Sequence, residues 1–239
     1  MKDIVVSLFD VSGKMVQPWL DAGFQCWIVD LQHPAAYSSE GITSDGALRK
    51  VHADLTRPWL FPADRGRIAF VSAFPPCDHL AVSGARWFKG KGLRRLETSI
   101  AMFATAAEFC DWSGAPYLIE NPVSNIASHW RKSDYRCSPH HFTGYNVDDN
   151  YTKKTCLWTG GGFVMPERFE DETLGEPDDR IHKCPPGPER HNIRSATPMG
   201  FAEAVFLANA ARPPREACIH GDGMRTCEQC ASTIYDTGT

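Results

Sequence analysis

Hydrophobic positions along the chain fall into short runs of strand length and a few stretches at helical spacing, and the two kinds alternate. An apolar run over 4–9 is followed by Asp10-Val11-Ser12-Gly13-Lys14; Met15, Trp19, Leu20 and Phe24 then recur as on an amphipathic helix, with Gly23 placed as a C-cap. Residues 26–29 form a second run, closed by Asp30, and the polar, turn-rich stretch 34–50 reads as a loop over a sheet edge. Val51-His52-Ala53-Asp54-Leu55 reads as the tip of a third strand, with Asp54 at its carboxyl end, and 62–67 as a turn. The run 68–74 has the bulk of a buried strand and stops at Pro75-Pro76, because neither proline can donate to a sheet ladder. Leu96, Ile100, Phe103, Ala107 and Phe109 fit a long helix over 96–112, which Ser113-Gly114-Ala115-Pro116 breaks. A strand over 117–119 ends in Glu120-Asn121-Pro122. The stretch 124–151 is irregular, and a late strand over 153–158 runs into Gly160-Gly161-Gly162. Residues 166–188, acidic and then proline-rich, show no regular pattern. Ser195-Ala196-Thr197-Pro198 opens a last helix through Phe201, Ala204, Val205 and Ala208, with Thr197 as N-cap and Pro198 as its first residue.

Strand and helix patterns in this alternation predict an α/β sheet with helices on both faces. At 239 residues the chain suits one such domain with a small appendage. Hydrophobic content of 42% and charge of 23% are ordinary for a soluble globular protein. No run of ~18 apolar residues is present to span a membrane. The N-terminus lacks the apolar core of a signal peptide, so the nine cysteines are expected as reduced thiols in a cytoplasmic compartment. A net charge of −4 argues against indiscriminate coating of nucleic acid, although Arg86, Lys89, Lys91, Arg94 and Arg95 crowd into ten residues.

Candidate chemistry gathers at the strand ends. Cys77 follows the 68–74 run on an elbow stiffened by two prolines, at the sheet edge where ligands collect in open α/β folds. That is a way to present a nucleophile; the plainer alternative is an inert cysteine after a proline-terminated strand. Glu120, at another strand tip before a proline, is placed to be desolvated and to donate a proton, or else to cap a following helix. A strand, a Ser-Gly turn, a helix and a strand ending in Asp30 make the first half of a nucleotide-binding unit, whose acid accepts from ribose hydroxyls. Gly90 and Gly92 among the cations suggest a mobile loop that approaches a phosphate backbone, or a solvated charged loop. In the tail, Cys218, His220, Cys227 and Cys230 form a ligand set of structural-zinc type at a non-standard spacing; the alternative is a tail with incidental cysteines.

Together these residues resemble the S-adenosylmethionine-dependent cytosine carbon-5 methyltransferases, in a compact phage-like form. The resemblance runs from about Ile4 to Trp158 and more weakly through Ala208. It rests on Pro75-Pro76-Cys77 with Ser83 and Gly84 after it, and on Glu120-Asn121. It implies a Rossmann-like class I methyltransferase sheet. Phe9, Asp10, Ser12 and Gly13 would form the cofactor loop, with Asp30 on the ribose, Asp54 beside the adenine and Pro75 also at the cofactor. Tyr151-Thr152-Lys153-Lys154-Thr155-Cys156 is similar to the family's Gln-x-Arg-x-Arg strand, with Lys153 and Thr155 in place of the arginines. Residues 1–158 would then be the cofactor-binding and catalytic core, and 195–212 the helix completing it. Only about 35 residues, 160–194, stand where the family carries its target-recognition region, which suits a short or relaxed sequence preference; 213–239 form the Cys/His tail.

The activity so implied is methylation of DNA by one copy of the chain, in the cytoplasm of a bacterium or a phage-infected host. Cys77 adds to carbon 6 of a flipped-out cytosine, Glu120 hydrogen-bonds or protonates the ring nitrogen, and Lys153 takes the place of a base-contacting arginine. Ser83, Arg86, Lys89, Lys91, Arg94 and Arg95 would meet the DNA. Two other readings keep part of this: the same reaction on a free cytosine nucleotide, and a catalytically idle module that binds nucleic acid.

Overall fold

The structure, a computed structural model, describes residues 1–35 and 42–210. It is a mixed α/β fold with one eight-stranded sheet. In chain order the strands are β1 (Ile4–Leu8), β2 (Gln25–Asp30), β3 (Ile42–Asp45), β4 (Leu48–His52), β5 (Ile68–Ala73), β6 (Tyr117–Asn121), β7 (Tyr135–Cys137) and β8 (Thr155–Gly160). The helices are α1 (Gln17–Asp21), α2 (Phe88–Lys91), α3 (Leu93–Ser113), α4 (Ile126–His129), α5 (Arg180–Lys183), α6 (Arg190–Ser195) and α7 (Met199–Asn209). Across the sheet the order is β3-β4-β2-β1-β5-β6-β8-β7. Neighbours from β4 to β6 pair in parallel, whereas β3 and β8 run antiparallel to the strands beside them. The chain moves outward one way from β1 through β2 to β4, then returns to lay β5 and β6 on β1's other side. The order therefore reverses between β1 and β5, which opens a crevice at their carboxyl ends.

Alternation along the central strands divides the core into two layers. Ile4, Val6 and Leu8 of β1, with Val71 and Ala73 of β5, face α3 through Phe103, Ala106, Phe109 and Cys110. Val5, Ile28, Phe70 and Leu118 face the other way, toward Met15, Trp19, Phe201 and Val205. Ile68 and Val71 share a face although they are three apart, because the β1–β5 register shifts by one residue between Ile4 and Val5. Trp19 is fully buried, stacked on Phe70 at 5.0 Å and edge-on to Phe24 and Phe206. It locks α1 and α7 onto this face.

Several expectations are corrected. The stretch 34–50 holds β3 and the first residues of β4 instead of a loop, and the strand expected at 51–55 is β4, which ends at His52; Val51 is its buried side chain, so its sequence stays polar. Arg49 lies over the Trp27 ring, 5.1 Å from its centroid. The glycine-containing basic segment is helical: a 3-10 turn over Val82–Trp87 leads into α2, and Arg94 and Arg95 stand in the first turn of α3. The region 124–151 holds α4, the edge strand β7 and two 3-10 turns, and α5 gives one helical turn within 166–188. Lys153 precedes β8, which starts at Thr155. Pro198 is the N-cap of α7, and Thr197 makes no capping bond; the buried Asp149 carboxylate meets that helix start, accepting from the Gly200 amide at 2.7 Å. The candidate zinc residues Cys218, His220, Cys227 and Cys230 lie outside the described residues.

Candidate active site

The crevice between β1 and β5 is built first by β1's exit. Phe9 holds φ 56°, a left-handed conformation that non-glycine residues rarely adopt, and Gly13 follows at φ 68°. Between them the buried Asp10 carboxylate accepts from the Ser7 hydroxyl (2.8 Å), the Ser12 amide and hydroxyl (3.0 and 3.1 Å) and the Gly13 amide (2.8 Å). Burial pushes its pKa up, against those four hydrogen bonds. Asp10 thus spends its acceptors on shaping the loop. Ser72 of β5 donates to Ser7 at 2.9 Å, and His33 reaches the Asp10 carbonyl at 2.9 Å. The sequence pattern gives no sign of Ser7, Ser72 and His33, since a small buried polar residue in a strand looks like any other small residue.

Asp30 ends β2; its Oδ1 accepts the Gln32 amide at 2.7 Å, and its Oδ2 has no partner among the described residues. Asp54 lies two residues past β4 and accepts the Thr56 amide at 3.0 Å, a bond that holds its pKa below the ordinary value. Both acids are at carboxyl ends of successive strands on the crevice side of the sheet order.

The second wall is the exit of β5. The Phe74 amide donates to the Leu8 carbonyl at 3.0 Å, so the two strand tips stay paired into the crevice. The Asn121 side-chain amide of β6 donates to the Pro75 carbonyl at 2.8 Å. Beyond the prolines the chain turns tightly, with the Leu80 and Ala81 amides donating to the Cys77 carbonyl at 3.0 and 2.8 Å. Ala81 then bridges to Ser124, past the end of β6. The Cys77 elbow is therefore fixed to β6 on both sides. Lys91 takes part too, its ammonium donating to the Asp78 carbonyl.

Glu120 and Lys153 meet beside this elbow, with Nζ 3.7 Å from Oε1 and both side chains mostly buried. Glu120 Oε1 has no hydrogen-bond partner. The Ser138 hydroxyl accepts the Lys153 amide at 3.0 Å and sets where that chain runs. Burial pushes the Cys77 thiol up to about 11; the charges of Asp78 and Glu120 push the same way, and Lys153 opposes them. A cleft opens here between Phe74, Glu120, Lys153, Ser138, Pro198 and Phe201. A carboxylate with an unused oxygen and an ammonium thus line one half-enclosed space, and both act electrostatically on the Cys77 thiol of the neighbouring elbow.

The remaining cationic residues lie apart from it. Ser83, Arg86, Lys89, Arg94 and Arg95 are exposed on the segment following the elbow. Arg86 stacks over Trp87 at 5.1 Å, and Arg94 pairs with Glu97 at 3.2 Å. The six described cysteines, Cys77 included, are all free thiols. Among the described residues no helix is long and apolar enough to cross a membrane. No protein-family model matches the chain, and no curated protein does either.

Proposed function

We propose that this chain is an S-adenosylmethionine-dependent DNA cytosine carbon-5 methyltransferase of Rossmann-like class I architecture. The observation that carries the reading is the hydrogen bond from Asn121 to the Pro75 carbonyl, beside the Glu120–Lys153 contact. It couples the strand tip that bears the carboxylate to the elbow that bears the thiol. The sheet order supports it as well: without the β3 edge strand, five parallel neighbours are followed by an antiparallel strand inserted before the last.

S-adenosylmethionine, when bound, supplies an electrophilic methyl group. The residues fit it. The loop from Phe9 to Gly13 borders the crevice at the order reversal, Asp30 Oδ2 has no partner among the described residues and would accept from a ribose hydroxyl, and the buried Pro75 follows β5 at the same crevice. Cytosine carbon 5 is a poor nucleophile until something adds at carbon 6. The Cys77 sulfur forms that bond as a thiolate, and the ring electrons move toward nitrogen 3 and carbon 5. Glu120 takes up the proton that the Cys77 thiol loses and passes it to nitrogen 3, which neutralises the charge that develops there. Lys153 holds the Glu120 carboxylate and lowers the cost of a thiolate beside it. With the cofactor bound, carbon 5 would take the methyl group as the methyl–sulfonium bond breaks and the thioether product leaves; a base would then remove the carbon-5 proton, and the carbon 6–sulfur bond would break to return the Cys77 thiolate.

The test is nucleoside mass spectrometry of mixed-sequence DNA incubated with the protein and isotopically labelled S-adenosylmethionine. Labelled 5-methyldeoxycytidine from the wild type and none from Cys77→Ala is the expected result. Label appearing on free dCMP and not on DNA would replace DNA as substrate. Methylation by Cys77→Ala would overturn the covalent role.

A further inference from the structure

Across β8 from this site lies a second cleft of about 260 Å³. Successive β8 residues face opposite ways, so Thr155 lines the first cleft while Cys156 and Trp158 form part of the second. Its floor is apolar, made by these two and Val123. Ser124 sits in the same wall, 6% exposed, with a buried hydroxyl that has no hydrogen-bond partner. Lys132 and Arg136 stand at the rim, and neither forms an ion pair among the described residues. Asp134, also there, is already engaged: it accepts from Arg131 at 2.6 Å and from the Thr159 amide at 2.7 Å. The cleft therefore combines a close-packed apolar floor, a buried hydroxyl without a partner and two cations with no ion pair among the described residues. That combination suits a base, its sugar and the phosphate beside it.

We propose that this cleft receives a nucleotide neighbouring the target cytosine on the same strand, and that Lys132 and Arg136 bind its phosphates. The proposal rests on the reading of the chain as a nucleic-acid cytosine methyltransferase. What argues for a neighbour, rather than an unrelated ligand, is the wall shared with the reactive elbow. Ala81 bridges to Ser124, the Val82 amide donates to the Val123 carbonyl at 2.9 Å, and the Asn125 amide donates to the Leu80 carbonyl at 2.9 Å. The segment leaving Cys77 is thus hydrogen-bonded to the cleft and leads directly to exposed Arg86, Lys89 and Arg95. On this proposal a strand whose base enters at Cys77 would meet the cations of this segment and those of the cleft hydrogen-bonded to it. In a chain with only about 35 residues between β8 and the last helix region, this gives the core its own contact with flanking sequence.

The test compares the wild type with Lys132→Ala/Arg136→Ala, both exposed positions, using fluorescence anisotropy of a short labelled mixed-sequence DNA single strand over a salt titration. Cofactor binding by calorimetry serves as the folding control. The double variant should bind the strand about tenfold more weakly at moderate salt. Its plot of log affinity against log salt should flatten by about 1.4, the loss of two single-strand phosphate contacts. Cofactor affinity and binding of free dCMP should be unchanged. Wild-type affinity and slope in the variant would overturn the proposal and leave the methyltransferase reading intact. Equal loss of dCMP binding would mean that the cleft takes the target nucleotide itself, which also overturns it. Failure of the wild type to bind the strand would overturn the proposal, and failure to bind the same sequence as a duplex too would overturn the nucleic-acid reading with it.

Discussion

Cys77 is protonated at neutral pH in the free protein, since its thiol sits near 11, raised chiefly by burial and then by Asp78 and Glu120. Removing the Glu120 charge should lower that value, and removing the Lys153 charge should raise it. Alkylation of the Cys77 peptide, followed against pH by mass spectrometry, should shift to lower pH in Glu120→Gln and to higher pH in Lys153→Gln. Glu120→Gln should nevertheless lose most turnover, because a more reactive thiol does not replace a proton donor to the ring. Asn121→Ala should cost about 1–3 kcal/mol of barrier, roughly fivefold to 160-fold in kcat, by freeing the Pro75 carbonyl that fixes the elbow. Cofactor affinity measured by calorimetry should change little. At this scale the strand-end positions of Cys77 and Glu120 were legible, because proline marks where a strand stops. The engagement of Asp10 in its own loop was not: a carboxylate after a strand looks alike whether it faces a ligand or four internal donors. Lys91 was equally opaque, its partner being a backbone carbonyl 13 residues away.

Elements are held in place by a few polar contacts at their ends. Asp10 satisfies two backbone amides that otherwise have no partner, so Asp10→Ala should destabilise the fold by roughly 2–4 kcal/mol, read as a lower urea midpoint. It should also weaken cofactor binding, since the loop loses its shape. At the other end of the site, α7 approaches so closely that a Cβ on Gly200 would lie 2.5 Å from the Phe142 carbonyl oxygen. Gly200→Ala should therefore push α7 away from Phe142 and cost about 1–3 kcal/mol in the same measurement, despite alanine's better helix propensity. The central strands and α3 were readable from periodicity because both their faces or one clear stripe are buried. β3, the start of β4, β7 and the short helices around Trp87 escaped it, and only the end of β4 was read, as a strand tip at Val51. β3 and β7 are the two edge strands, where polar side chains and brief pairing leave no apolar period. Thr197 has the chemistry of an N-cap but stands one residue too early, and the capping role passes to Pro198 and the distant Asp149.

For the molecule as a whole, the strand order puts loop, acids, thiol and carboxylate along one edge of the sheet. No local pattern in the chain specifies that order; it follows from how β5 and β6 return beside β1 and how β8 inserts before β7. The α/β class was legible from alternation, while the sheet order and the two clefts flanking β8 came only from the assembled fold. The central claim is that Cys77 forms a transient bond to carbon 6 of cytosine in DNA. Duplex DNA carrying 5-fluorocytosine tests it most directly: after methyl transfer the ring has no proton at carbon 5 to lose, so elimination stalls and the adduct persists. Incubation with S-adenosylmethionine should give a denaturation-resistant complex whose mass equals protein, DNA strand and one methyl group. Proteolysis should place the link on Cys77. Absence of that complex, while the same preparation methylates ordinary cytosine in DNA at carbon 5, would contradict the account.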